Sequence, residues 1–332
     1  MKLLKIPTKR SKLTKSIASL ALSAAVLMTL GFNAIAIAAT AAAQKSFPSA
    51  EAAVKATVAA AKANDDKEML AIFGAQAKDL IFSGDPVADK QRRAQFLAAY
   101  EAKNRIAQEG EKSVLMVGKD DWPFPIPLVK KADGWVFDTQ QGREEVLNRR
   151  IGDNELSAIQ VTLAYVDAQR EYAMKDRDGD GLLEYAAKFR SDAGKKNGLY
   201  WGAKAADDTS PLGLVVARAV KEGYGQNKSS DKPAPFHGYY YRILTAQAKD
   251  APGGAYSYLV KGNMIGGFAL VAYPAEYGNS GVMSFIVNHD GKVFQKDLGK
   301  NTAATAAAMK EYNPDSTWAA VRDEKVRGSS TR

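Results

Sequence analysis

The chain has 332 residues, 46% of them apolar and 25% charged, which excludes a disordered or collagen-like polymer and, as a prior from length, suggests two domains. Cysteine is absent, which excludes disulfide scaffolds, thiolate zinc sites, cysteine nucleophiles and lipid attachment at cysteine, and two histidines (His237, His289) do not make a histidine-rich metal centre. Six of the 46 basic residues lie in the first fifteen positions, so the body carries 40 basic against 37 acidic residues, a balance too even to argue for nucleic acid or a membrane surface.

The basic head contains Lys2, Lys5, Lys9, Arg10, Lys12 and Lys15, and no acid precedes Glu51. An apolar stretch follows from Ile17 to Leu30, and then small residues at Ala34-Ile35-Ala36 and Ala41-Ala42-Ala43. Basic tip, short apolar middle and small-residue exit predict a secretory signal peptide over residues 1–43, cut after Ala43, with Ala36 and Ala38 also fitting the rule. The alternative is an uncleaved anchor, because the weakly apolar run continues to Ala43. No twin arginine precedes the apolar run, which points to the general secretion route. The expected location is periplasmic or secreted, with no membrane span left after cleavage.

Residues 44–150 read as an N-terminal α+β domain. Ser49 to Phe73 has helical spacing, with Ser49 as N-cap and Asn64-Asp65-Asp66 as a break. Asp89 to Ile106 predicts another helix. Ser113 to Val117 reads as a strand, and Trp122 to Pro127 as an extended segment whose prolines bar it from the middle of a sheet. Leu128 to Lys131, the turn Ala132-Asp133-Gly134 and Trp135 to Asp138 predict a hairpin. Helices followed by a small antiparallel sheet make an α+β unit, similar in element order to the cone-shaped nuclear-transport-factor-like fold.

Residues 151–327 read as a second domain, a long helix packed on an antiparallel sheet, with 328–332 as a tail. Gln141 to Arg150 and Asn154 to Lys175 predict two helices, the second amphipathic and capped by Asp153 or Asn154. Leu183 to Arg190 resumes a helical pattern, and Pro211 to Glu222 predicts a short helix ending at Gly223. Strands are expected at Tyr239 to Ala246, Tyr256 to Val260, Gly267 to Tyr273, Gly281 to Asn288 and Lys292 to Lys296, with a hairpin at Asp290-Gly291 and a last helix at Thr302 to Met309.

Several motifs occur in fixed order in this half: Asp180 to Ala186 (DGLLEYA), Asn197 to Trp201 (NGLYW), Ser210 to Gly213 (SPLG), His237 to Tyr240 (HGYY), Met264 to Gly278 (MIGGFALVAYPAEYG) and Asp297-Leu298-Gly299. With these the chain resembles the bacterial DUF-2950 family, which implies an exported bacterial protein and no assigned activity. The long helix followed by Gly238-Tyr239-Tyr240, Phe268-Ala269-Leu270 and Ser284 to Val287 is also similar in architecture to the globular heads of pilins and pseudopilins.

The sharpest chemical signal is Asp176-Arg177-Asp178-Gly179-Asp180-Gly181. Acids at positions one, three and five and a glycine at six match the first half of a calcium loop, with the Leu182 carbonyl at seven and Glu184 at nine as further ligands. Position twelve is Ala187 instead of the bidentate glutamate. Calcium on Asp176, Asp178, Asp180, Leu182 and Glu184 is therefore one expectation, and a solvated polar loop is the other. Gly278-Asn279-Ser280-Gly281 faintly resembles a protease serine loop, with His237 and Asp250 upstream, but a turn is expected there. His237 is expected to pack or hydrogen-bond, and His289 to be an exposed turn residue. Tyrosines 239, 240, 241, 256, 258, 273 and 277 crowd the sheet region, where packing is favoured over an exposed binding face.

These features lead to a non-catalytic binding or structural module of the envelope, with calcium stiffening the Asp176–Glu184 loop and an envelope protein or glycan as partner. The alternative is a periplasmic glycan hydrolase using two of Glu184, Glu222 and Glu276, which requires two carboxyls about 5–9 Å apart in one cleft.

Overall fold

A computed structural model describes residues 43–177, 179–202, 208–225 and 234–322. The predicted leader, the tail and Asp178 lie outside the described residues, apart from residue 43. The first elements follow their caps. The Ser49 side chain accepts from the Ala52 amide at 3.1 Å and opens α1 (Ala50–Ala63), which Asn64 closes in a left-handed conformation, φ 50°. Asp65 caps α2 (Asp66–Phe73), accepting from the Glu68 amide at 2.9 Å. After α3 (Lys78–Ile81), helix α4 spans Pro86–Ala102. It starts three residues earlier than the apolar spacing predicts, because Asp85 caps it and Pro86 supplies the preset φ of a first helical position.

Helix α4 also stops earlier than predicted, since Asn104–Glu109 is strand β1. Only Ile106 and Ala107 of β1 are half-buried, so this edge strand carries little apolar signal. It pairs antiparallel with β2 (Lys112–Val117). The other side of β2 takes β3 (Trp122–Pro123) and β4 (Leu128–Lys131), and β5 (Gly134–Phe137) completes the predicted hairpin with β4. The proline-punctuated segment thus contributes only a two-residue pairing.

The two helices expected around Gly152 are one, α5 (Thr139–Tyr172), 34 residues long. Asn154 is a good cap residue because its side chain can bond nearby backbone amides. Here its amide instead bonds across the fold, donating to the Ser280 carbonyl at 2.8 Å and accepting from Arg92 at 2.7 Å. The local alternative to helix is thereby lost and the helix runs on. Gly142 in the same helix lies against the backbone of Pro125 and Ile126. A Cβ there would stand 2.7 Å from the Ile126 Cα and the Pro125 carbonyl oxygen. Gly142→Ala, which helix propensity alone would make stabilising by about 1 kcal/mol, is expected to destabilise by about 1–3 kcal/mol in urea unfolding. A gain in stability would show that the helix can shift away from this contact.

Leu183 to Arg190 is not helical. Tyr185 bridges Met264 and Arg190 bridges Tyr200, while the Gln169 side chain bonds both backbone groups of Ala186 at 2.8 Å. Tyr185 packs edge-on to Phe268 and Phe189 packs against Tyr165. These long-range partners replace the intrahelical bonds that the local pattern suggested. Helix α6 (Gly213–Glu222) ends at Gly223, φ 103°, as expected.

The rest is mostly strand: β6 (Tyr239–Leu244), β7 (Ala246–Gln247), β8 (Tyr256–Ser257), β9 (Leu259–Val260), β10 (Asn263–Met264), β11 (Ala269–Pro274), β12 (Met283–Asn288) and β13 (Phe294–Asp297). Helix α7 (Thr302–Ala308) and the short strands β14 (Glu311–Tyr312) and β15 (Ala319–Ala320) follow. The main sheet is antiparallel in the order β15-β13-β12-β11-β6, and α5 packs on β12 and β11. The Asp290-Gly291 hairpin forms, with pairing that begins at Ile286 and Phe294.

Mixed α+β is therefore the fold class. The described residues form one compact unit, with two apolar clusters in it. One joins α1, α2, α4 and the first sheet and reaches Val146 and Leu147 of α5. The other starts at Ala158 of α5 and fills the space under the main sheet with Tyr165, Tyr172, Phe268 and Phe285. Residue 150, the expected domain boundary, lies inside α5 between these clusters. Among the described residues, no helix is long and apolar enough to cross a membrane.

Candidate functional site

Between the two apolar clusters the protein buries polar side chains. Asp85 is 1% exposed and does more than cap α4. One carboxylate oxygen accepts from the Ala88 amide at 3.1 Å; the other accepts from the Tyr224 hydroxyl at 2.8 Å and the Gly238 amide at 2.9 Å. Asp85 thus ties the start of α4 to the residues after α6 and to the turn before β6. Burial and the adjacent Asp85 carboxylate push the Tyr224 hydroxyl far above its usual pKa, so it stays a donor.

That turn is unusual. His237 (φ 51°) and Gly238 (φ 75°) are both left-handed, and Phe236 and Tyr239 bond each other across it. Two positive φ values in succession are the signature of a tight hairpin turn, and glycine fits the second. A Cβ on Gly238 would collide with the Asn154 amide, so the glycine also permits the close approach to α5. The turn places the His237 ring on Phe236 and Tyr224, with Nε2 3.3 Å from Glu222 Oε2. Burial lowers the His237 pKa, opposed by Glu222 and aided by Arg218.

Arg150, on α5 and 5% exposed, forms the opposite side of the junction. It donates to the Asp79 carbonyl at 2.7 Å, to the Leu80 carbonyl and to Asn279 Oδ1. Asn279 in turn donates to the Phe82 carbonyl at 3.0 Å and to Glu276 at 2.8 Å. Burial and the neighbouring Arg92 bring the Arg150 pKa down to about 10.

Of these groups, Arg92, Arg150, Asn154, Glu222 and His237 border a cavity of about 460 Å3 between α4, α5 and α6, a size usual for small-ligand sites, which run roughly 300–1,000 Å3. One part of its wall is apolar and belongs to the first cluster, with Phe73, Phe96, Phe124 and Ile126. The other part carries Asp89, Arg92, Arg149, Arg150, Arg218, Glu222 and His237. The cavity lies wholly within residues covered by one family description: protein of unknown function (DUF2950), matched over residues 44–321. The chain belongs to the DUF2950 family. No curated protein and no solved structure matches it, so the likenesses to pilin heads and to nuclear-transport-factor-like cones gain no support.

The sequence-predicted sites of this DUF2950 protein fare differently. In the acidic loop, Asp176 accepts from the Gly179 and Gly181 amides at 2.7 and 2.9 Å, and Asp180 from the Leu182 amide at 2.8 Å and from Asn263 at 2.7 Å. The loop is shaped by its own amides, Leu182 is exposed and Glu184 half-buried. Among the described residues no three acids or histidines gather as a metal cluster, and Asp178 is not among those residues.

Ser280 is fully buried and bonds Glu276, while Asp250 bonds Asn313. The serine-loop likeness is thus a structural turn. Of Glu184, Glu222 and Glu276, only Glu222 borders the cavity. His289 is not the exposed turn residue expected: it is half-buried against Tyr258 and Phe268. Tyr239 and Tyr258 are core residues whose hydroxyls bond Met283 and Gln247, as packing predicts.

Sequence reasoning missed Asp85, Arg92, Arg150 and Asn154. Asp85-Pro86 was a legible cap; the other partnerships span 62 to 129 residues and leave no local trace.

Proposed function

We propose that this DUF2950 protein is an exported, non-catalytic binding module of the bacterial envelope. The observation that carries the reading is the cavity between α4, α5 and α6, bounded by an apolar wall, the buried Arg150 and the partly exposed Arg92. The sequence points to an envelope protein or a glycan as partner; the cavity's size favours a small molecule as its occupant. Ser157 lines the cavity from α5 and is half-buried, so Ser157→Trp would fill it. Protein purified from native envelope is expected to retain a small molecule by mass spectrometry, depleted at least about tenfold in the variant, equivalent to about 1.4 kcal/mol of binding. Equal retention by both proteins, or none by either, would count against the reading.

Export is supported by the basic head, apolar middle and small-residue exit of residues 1–43. Cell fractionation with N-terminal sequencing is expected to give envelope-located protein beginning at Gln44. Full-length chains in the cytosol would refute it.

Calcium belongs to the same proposal at the affinity of extracellular modules, with a Kd of about 0.1–1 mM, because the twelfth position lacks its glutamate. Asp176, Asp178, Asp180, the Leu182 carbonyl and Glu184 would be the ligands. Millimolar calcium is then about one to ten times Kd and stabilises by about 0.4–1.4 kcal/mol, so it is expected to raise the melting midpoint over chelator by a few degrees at most. A midpoint that does not move, or that moves equally in Asp178→Ala, removes the ion.

A further inference from the structure

Resting on the reading of the cavity as a ligand site, we infer that its ligand is an amphiphile with an oxyanion head, carboxylate or phosphate, and an apolar tail. The tail would lie along Phe73, Phe96, Phe124 and Ile126. These residues belong to the first apolar cluster, with Phe124 5.4 Å from Phe96 and 6.2 Å from Phe73, centroid to centroid. A wall of stacked rings and aliphatic side chains offers nothing to a sugar's hydroxyls and much to a hydrocarbon.

The head is read from Arg92 and Arg150. Arg92 spends Nη2 on Asn154, while its Nη1 is buried without a hydrogen-bond partner, 3.7 Å from the Asp89 carboxylate. Arg150 spends both terminal nitrogens on carbonyls and Asn279, and its Nε is buried without a partner. Among the described residues no carboxylate comes within 4.0 Å of the Arg150 guanidinium, and Asp79, Asp89 and Glu276 act on it from farther away. Arg150 is buried and Arg92 partly exposed, yet each keeps one buried nitrogen without an acceptor, which is costly. An oxyanion at the cavity's polar end would accept from those donors and offset the charge, and a planar guanidinium suits carboxylate and phosphate alike. Asp89 balances Arg92 in part and Glu222 faces Arg218 and His237, but among the described residues five guanidiniums (Arg92, Arg93, Arg149, Arg150, Arg218) line the cavity against three carboxylates (Asp89, Asp153, Glu222).

Isothermal titration of the purified, delipidated full chain with decanoate, decyl phosphate, decanol and decyltrimethylammonium tests this. Decanoate or decyl phosphate is expected to bind at least about tenfold more tightly than decanol, with the cationic amphiphile weakest, and whichever anion binds better identifies the head. Arg92→Gln should weaken anion binding several-fold toward the affinity of decanol, Arg150 holding the remainder, and leave decanol itself unchanged. Decanol binding as tightly as both anions, or an Arg92→Gln variant that folds and keeps the full anion preference, overturns the oxyanion head and leaves the cavity reading standing. Binding of none of the four overturns both. Should Arg92→Gln fail to fold, the wild-type ranking alone decides.

Discussion

Asp85→Ala is expected to unfold at markedly lower urea concentration than the wild type, with a loss of about 3–5 kcal/mol. The size follows from what the carboxylate does. It caps α4, which alone contributes about 1 kcal/mol. It also receives the Tyr224 hydroxyl and the Gly238 amide in a place that water does not reach. Alanine would leave three donors without an acceptor, at about 1–3 kcal/mol for each one that stays buried. Tyr224→Phe removes one donor together with its need for a partner but also the acceptor of the His237 amide at 3.2 Å, and should cost about 1–2 kcal/mol, less than Asp85→Ala. Equal losses in the two variants would mean that the hydroxyl bond, rather than the shared carboxylate, holds the junction. In a thermal melt Asp85→Ala should fall by on the order of 10 °C.

Arg150→Met should also destabilise, by about 2–4 kcal/mol, but for a balance of opposing reasons. Burying the guanidinium is costly, as its pKa, brought down to about 10, indicates. Methionine removes that cost and fills similar space. It also abandons the Asp79 and Leu80 carbonyls of α3 and the side-chain oxygen of Asn279. Helix ends have no other partners for such carbonyls, and α3 is a single turn. Arg150→Lys keeps the charge yet cannot serve acceptors on two sides with a planar fork, so its loss should match or exceed that of methionine. Chemical denaturation of both variants checks the ordering. A fully stable Arg150→Met would show that the three bonds only repay the burial of the charge.

Both predictions concern one stretch of the molecule, at the border of the two apolar clusters, where buried polar side chains carry part of the connection between them. The same stretch forms the polar wall of the cavity. A ligand there would therefore touch groups that also hold α3, α4, α6 and the Gly278–Gly281 turn together, so occupancy should raise stability along with affinity.

Much of the fold was legible in the chain. Ser49, Asp65 and Gly223 mark helix ends because their φ/ψ preferences and side-chain bonds act within a few residues. The β-branched and aromatic runs from Tyr239 to Phe294 marked strands, since burial on a pleated sheet selects them wherever the partner strand lies. Asp85-Pro86 was equally readable as a cap, but the apolar spacing drew the helix start to Asp89. The site was barely legible. Its carboxylates, guanidiniums and amides are ordinary surface residues in a sequence; of those lining the cavity only Glu222 and His237 stood out as candidate site residues, and Asn154 read as a helix cap.

What the sequence by itself determined is the local grammar: a basic, then apolar leader, the caps and turns, the strand-rich second half and the α+β class. Only the tertiary structure decided that Gly152-Asp153-Asn154 would not break α5, that Leu183 to Arg190 would run extended, and that Asp85, Arg92, Arg150 and Asn154 would meet. The reason is one of scale. A local backbone preference is worth about 1 kcal/mol or less, whereas a buried polar group left without its partner costs about 1–3 kcal/mol, so distant partners such as Ser280 for Asn154 overrule the neighbours in the chain.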